Sequence, residues 1–179
     1  TKGQAGQVLL KIIQDLKPNS PELAYEINEK DTTLNGNNAI ITFLNTSTIK
    51  VVAANDNARS NRAHILFVDE FRMVKKNIMN TVLKKFLSNP RHPKFMDLPE
   101  YKGKKEYKEP LQTIYSSSGY YKDHWCFTKT KDVAKLMLGD ALKGFVCGCP
   151  WQLAVAEGII TEDIIAEQMM ESDFNEISW

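Results

Sequence analysis

Two adjacent carboxylates, Asp69 and Glu70, follow four apolar residues, Ile65-Leu66-Phe67-Val68. An acid in that place can hold Mg²⁺ through its water shell. A second acid beside it can orient and deprotonate a water that attacks a γ-phosphate. Arg59 stands in a polar loop upstream of the pair. A guanidinium there can pair bidentately with phosphate oxygens and keeps its charge at any relevant pH. Arg62 is a secondary candidate of the same kind. Ser116, Ser117 and Ser118 close a later apolar stretch, where hydroxyls could sense a γ-phosphate and pass that state to a moving segment. Each group also has a plain structural reading. A strand can simply meet a solvated turn, an arginine can sit in a solvated loop, and small polar residues can cap a strand end.

These residues need elements to position them. Four apolar residues in a row suit a strand buried on both faces, as in a parallel sheet. The carboxyl end of such a strand is where open α/β sheets bind ligands. The apolar run with its acids has the pattern of a Walker B strand carrying a catalytic glutamate. Residues 71–88 carry Phe71, Val74, Ile78, Val82 and Phe86 on one stripe, which predicts a helix about 27 Å long. Residues 111–117 predict the next strand, and 129–143 a helix with Val133, Leu136, Met137 and Leu142 inward. Residues 144–150 predict a further short strand, and Thr161 caps a last helix with Glu162 and Asp163 in its first turn.

Upstream, residues 3–17 show an apolar stripe at helical spacing, stopped by Pro18 and Asn19. Ser20 followed by Pro21 offers an N-cap with proline at the first helical position, predicting a helix to about Lys30. Asn35-Gly36-Asn37-Asn38 is turn chemistry. Residues 39–44 and 48–53 are rich in β-branched residues and read as a hairpin or two adjacent strands. Residues 89–110 hold four prolines and mixed charges. A bare loop of that length is uncommon, so it is either functional or tied down by short helical turns. Strands alternating with covering helices imply an α/β fold with a mostly parallel sheet flanked by helices.

The 179 residues are 42% hydrophobic and 25% charged, which fits one soluble globular domain over 1–179. A formal net charge of +1 gives no global field toward nucleic acid or membrane. No apolar run approaches a membrane span. Cys126, Cys147 and Cys149 read as free thiols of a reducing compartment, and with three histidines they do not supply a zinc ligand set. No Gly-x-x-x-x-Gly-Lys-Ser/Thr loop occurs, so the usual phosphate cradle is missing. Residue 1 is Thr, and both ends read as cut from a longer chain.

With its motifs in this order, the chain resembles the ATPase domain of the large terminase subunit of tailed bacteriophages, the DNA-packaging motor. The resemblance runs from Thr1-Lys2-Gly3-Gln4-Ala5 opening a helix, through 39–44 and Ile49-Lys50-Val51-Val52-Ala53-Ala54. It continues through Asn57-Ala58-Arg59-Ser60-Asn61-Arg62-Ala63, the acidic strand and 115–119. It ends with 167–179, which in the family joins the ATPase domain to a nuclease domain. It implies a P-loop NTPase fold of the ASCE type, incomplete at its N-terminal end, with about 160–179 leading into a linker. Asp69 would be the Walker B magnesium residue and Glu70 the catalytic base. Arg59 would be the finger presented in trans, and Ser116, Ser117 and Ser118 the coupling motif that contacts ATP. The implied cofactors are ATP and Mg²⁺. The implied partners are double-stranded DNA, a portal protein, the small terminase subunit and further copies in a ring. The implied location is the host cytoplasm, docked on a procapsid, with no membrane. The family usually has Gly after the loop arginine, where this chain has Ser60. A parent ATPase is implied, with these 179 residues inactive alone. Alternatives are a helicase-like nucleic-acid translocase and a non-catalytic interaction domain.

Overall fold

The computed structural model of the chain describes residues 2–35, 38–88, 90–139 and 143–170. They form a mixed α/β structure whose contacts divide into two units, Thr1–Asn61 and Arg62–Trp179.

The first unit opens with helix α1, Lys2–Leu16, which packs on strands β1 (Thr33–Asn35) and β2 (Asn38–Thr42). Leu9 and Ile13 of its stripe are half-buried and Leu16 is exposed. Helix α2, Pro21–Glu26, begins as the sequence predicts. Ser20 Oγ accepts the Leu23 N–H at 3.4 Å, and Pro21 takes the first helical position. It stops short of Lys30 because Ile27 turns extended and bridges Phe43. Asn28 then caps a separate 3₁₀ turn over Glu29–Asp31.

β1, β2 and β3 (Thr48–Lys50) form an antiparallel meander, with Ile41 opposite Ile49 and Leu34 opposite Ala39. β1 was not anticipated; Gly36 and Asn37 of the predicted turn lie outside the described residues. The β2–β3 link is far too short for a parallel crossover. It is closed by the Thr46 N–H to Phe43 C=O bond at 2.9 Å, with Thr46 left-handed at φ 68°. The expectation of a mostly parallel sheet is therefore corrected: among the described residues the parallel pairing is confined to the second unit. Ile27, Ala39 and Ile41 are buried in the first unit.

In the second unit, β4 (Ile65–Val68) pairs in parallel with β5 (Gln112–Tyr115), with Phe67 opposite Ile114. β4 is not buried on both faces. Leu66 and Val68 are inside, while Ile65 and Phe67 are 58% and 60% exposed and Ile114 is 46% exposed. Two strands have one covered face here, so the pleat alternation sorts the apolar run into inside and outside.

The predicted helix over 71–88 is three pieces. A 3₁₀ turn, Phe71–Met73, precedes helix α3, Lys76–Thr81, and a second 3₁₀ turn covers Leu83–Phe86. The stripe still works: Phe71, Ile78, Val82 and Phe86 are buried. Continuity fails first at Val74 and Lys75, which are extended, and again at Thr81, whose hydroxyl bonds back to the Asn77 C=O at 2.9 Å. Such back-bonding and the β-branched Thr81-Val82 pair both disfavour a straight helix.

Residues 90–110 are tied down rather than bare. Turns over Lys94–Asp97 and Lys105–Tyr107 flank a cluster of Phe95, Tyr101 and Tyr107, with ring centroids 5.1 to 6.2 Å apart. Met96, next to Phe95 in the first of these turns, is buried.

Helix α4 spans Trp125–Leu138, earlier than predicted, because His124 Nδ1 accepts the Cys126 N–H at 3.4 Å and caps it. Val133 and Met137 are half-buried, but Leu136 is 50% exposed. Leu142 lies outside the described residues. No strand forms over 144–150, where Gly144 is left-handed and the Val146 N–H is turned to Met137 Sδ. Helix α5, Trp151–Ala156, was not anticipated. Helix α6, Glu162–Met169, carries the predicted acids in its first turn. Residues 171–179 of the predicted linker lie outside the described residues.

Candidate functional site

The parallel ladder between β4 and β5 continues past both strand ends. The Ser116 N–H donates to the Val68 C=O at 3.0 Å, and the Phe71 N–H donates to the Ser116 C=O at 3.1 Å. Ser116 is thus clamped between the last residue of β4 and the residue after the acids. Asp69, Glu70 and the three serines share one carboxyl-end edge of the sheet.

The edge has a particular backbone. Glu70 adopts φ 45° and ψ 46°, the left-handed region, and its C=O accepts the Met73 N–H at 2.8 Å to start the 3₁₀ turn. For a residue with a Cβ this conformation costs about 1–2 kcal/mol. Such strain collects at functional sites. Buried Phe71 anchors the turn from below, 5.2 Å from the Tyr115 ring and 5.6 Å from the Trp125 ring.

Asp69 and Glu70 are exposed. Glu70 Oε2 accepts Arg72 Nε–H at 2.9 Å, with the Glu70 side chain 50% and the Arg72 side chain 25% exposed. The Arg72 guanidinium carbon stands 5.3 Å from the Tyr120 ring centroid, a cation–π contact. Tyr120 in turn meets His124 edge-on at 4.9 Å. Cys126 Sγ lies 3.0 Å from His124 Nδ1. Burial pushes the Cys126 thiol above its ordinary range, and the Arg72 charge pulls weakly the other way. Burial likewise raises the Tyr115 phenol, against a hydrogen bond from Thr113.

Ser116 and Ser117 are half-buried and Ser118 is exposed. The Ser117 Oγ is shielded from solvent and meets no hydrogen-bond partner among the described residues. A buried hydroxyl without a partner carries a cost that calls for a reason.

Arg59 belongs to the first unit, at the end of the 3₁₀ turn Asp56–Ala58. Its NH2 group donates to Asp56 Oδ1 at 2.6 Å, and both side chains are largely exposed. Ser60 does not have a positive φ, so a residue with a side chain carries no backbone penalty where the terminase pattern has Gly. Arg62 opens the second unit.

Magnesium is commonly held by one or two carboxylates together with phosphate oxygens and water. An exposed Asp69 at the strand end fits that donor set, with Glu70 beside it engaged by Arg72. The sequence reading missed Arg72, Tyr120 and His124. Arg72 follows Glu70 by two positions across the expected boundary between strand and helix, where no spacing rule pairs side chains. No protein-family model, curated protein or solved structure matches the chain.

Proposed function

We propose that the β4–β5 edge is the magnesium and γ-phosphate side of an ATP site. In this reading the chain is an ASCE-type P-loop NTPase segment of the motor that packages double-stranded viral DNA into procapsids. One observation carries the reading most: the extended ladder through Ser116, which sets an Asp-Glu pair beside a serine-rich strand end on neighbouring parallel strands. Asp69 orients the hydrated metal, and bound Mg²⁺ would supply charge neutralisation to the phosphates. Glu70 orients the attacking water and takes its proton. The Ser117 hydroxyl, unpartnered at that edge, is the group suited to answer a phosphate oxygen. Arg59 acts in trans on the site of a neighbouring copy in a ring. Portal protein, the small terminase subunit and DNA are the partners, in the host cytoplasm at the procapsid. The phosphate cradle comes from outside these 179 residues, so the chain by itself turns over little or no ATP.

ATP hydrolysis by the packaging-competent protein carrying Glu70→Gln tests this. Loss of a positioned general base should lower turnover by about 10²–10⁴-fold. Packaging at the normal rate would sink the mechanism. Mg²⁺-dependent turnover by the 179-residue chain alone would refute the external cradle.

A second reading, a non-catalytic interaction module, is favoured by the exposed Ile65, Phe67 and Ile114 on one face of β4–β5. Function lost in Phe67→Ser but intact in Glu70→Gln would select it.

A further inference from the structure

We propose that Arg72 is a positioning residue that withholds the Glu70 carboxylate and releases it when the segment bearing Tyr120 moves. The inference rests on the reading of Glu70 as a base. Three contacts carry it. Arg72 Nε–H holds Glu70 Oε2 at 2.9 Å. The opposite grip on Arg72 is the Tyr120 ring at 5.3 Å. Tyr120 follows the serine stretch after Gly119, and Ser116 of that stretch is bonded to both Val68 and Phe71. A displacement at Ser116, Ser117 and Ser118 therefore reaches Arg72 by two routes, through the Phe71 backbone and through the Tyr120 ring.

The backbone gives this grip something to act on. Glu70 is held left-handed, a conformation that most residues leave when nothing retains them. In the held state its carboxylate is engaged by a cation and accepts from an N–H, which is the wrong partner for a group that must accept a proton from water. Freeing Glu70 needs only a side-chain exchange, because half of the glutamate side chain already faces solvent. Tyr120 is the element that decides whether Arg72 stays: the guanidinium carbon lies 5.3 Å from its ring centroid, and the Arg72 side chain as a whole is only a quarter exposed.

Two measurements test the proposal. In the 179-residue chain, the Arg72 Nε–Hε resonance and the Glu70 Cδ shift report the pair without any nucleotide. The Nε–H should exchange with water more slowly than that of the variant Glu70→Gln. Tyr120→Phe should preserve the slow exchange and Tyr120→Leu should abolish it. Arg72→Lys, which keeps charge but not the Nε geometry, should shift Glu70 Cδ as Arg72→Ala does. An unchanged Arg72 signal in a folded Tyr120→Leu chain overturns the coupling to Tyr120. In the packaging-competent protein, Arg72→Ala should raise basal kcat for ATP about two- to fivefold, the range an ion pair of this exposure can bias, with KM within about twofold. If Glu70→Gln abolishes turnover while Arg72→Ala leaves kcat unchanged, this inference falls and the ATP reading stands. If turnover survives Glu70→Gln, the ATP reading itself falls.

Discussion

Replacing Glu70 with glycine separates two things the residue does: it bears a carboxylate, and it occupies a left-handed backbone. The structure supplies the terms. Left-handed φ at Glu70 costs a residue with a Cβ about 1–2 kcal/mol. The Arg72 ion pair, with side chains a quarter and half exposed, returns about 0.5 kcal/mol after solvent screening. Glycine removes the backbone cost but adds about 0.5–1 kcal/mol of chain entropy and loses the pair. Glutamine keeps the backbone cost and also loses the pair. Glu70→Gly should therefore be at least as stable as Glu70→Gln, by about 0.5 kcal/mol, or roughly 2 °C in Tm for a unit of this size. Both variants should lack turnover in the packaging-competent protein. Thermal unfolding followed by far-ultraviolet circular dichroism, with urea denaturation as a check, makes the measurement. A glycine variant melting clearly below the glutamine variant would show that residue 70 stores no left-handed strain. The case for Glu70 as a held, high-energy group would then be lost.

Thr46→Gly should stabilise the first unit by about 0.5–1 kcal/mol, since a β-branched residue occupies the left-handed corner of the β2–β3 turn; a lower urea midpoint would contradict that. Ser117→Ala should raise stability by about 1 kcal/mol by deleting a buried hydroxyl without a partner, while weakening ATP-dependent packaging. A destabilised variant would mean that the hydroxyl has a partner in the folded protein. For Cys126, burial raises the thiol above its reference value of 9.0, so the folded state holds the proton more tightly than the unfolded state. Its contribution is present below that value and is lost as pH rises from there toward the raised folded value. Melting temperatures at pH 7 and pH 10 should thus differ less in Cys126→Ala than in the parent chain, and an equal difference would remove the thiol from the account.

What the sequence revealed depended on whether a local rule and the tertiary setting agreed. The Ser20-Pro21 start of α2 was legible because a cap is decided within four residues, and nothing distant opposes it. The β4 run and its acids were legible for the same reason. The burial of that run on two faces was not, because two paired strands present one covered and one open face, whatever their composition. The helix over 71–88 was read from a stripe that does point inward. Periodicity reports which side chains are buried but not whether the backbone between them is continuous; here it is interrupted at extended Val74 and Lys75 and again at Thr81, which bonds back to its own preceding turn.

The hidden part of the candidate site follows from a different interruption, at Glu70. The predicted helix starts at Phe71, so Glu70 and Arg72 lie on either side of an element boundary, where no helical or strand spacing pairs their side chains. One left-handed residue at the strand end and a 3₁₀ turn after it bring the two side chains together at 2.9 Å. The sequence carries no glycine there to announce the turn, because the position is held by a glutamate whose carboxylate the proposed chemistry requires. A glycine at residue 70 would make the turn easier to form and easier to foresee, but it would remove the base. The conflict between backbone preference and side-chain chemistry therefore falls on a single residue. Arg72 and Tyr120 are the neighbours that hold it there.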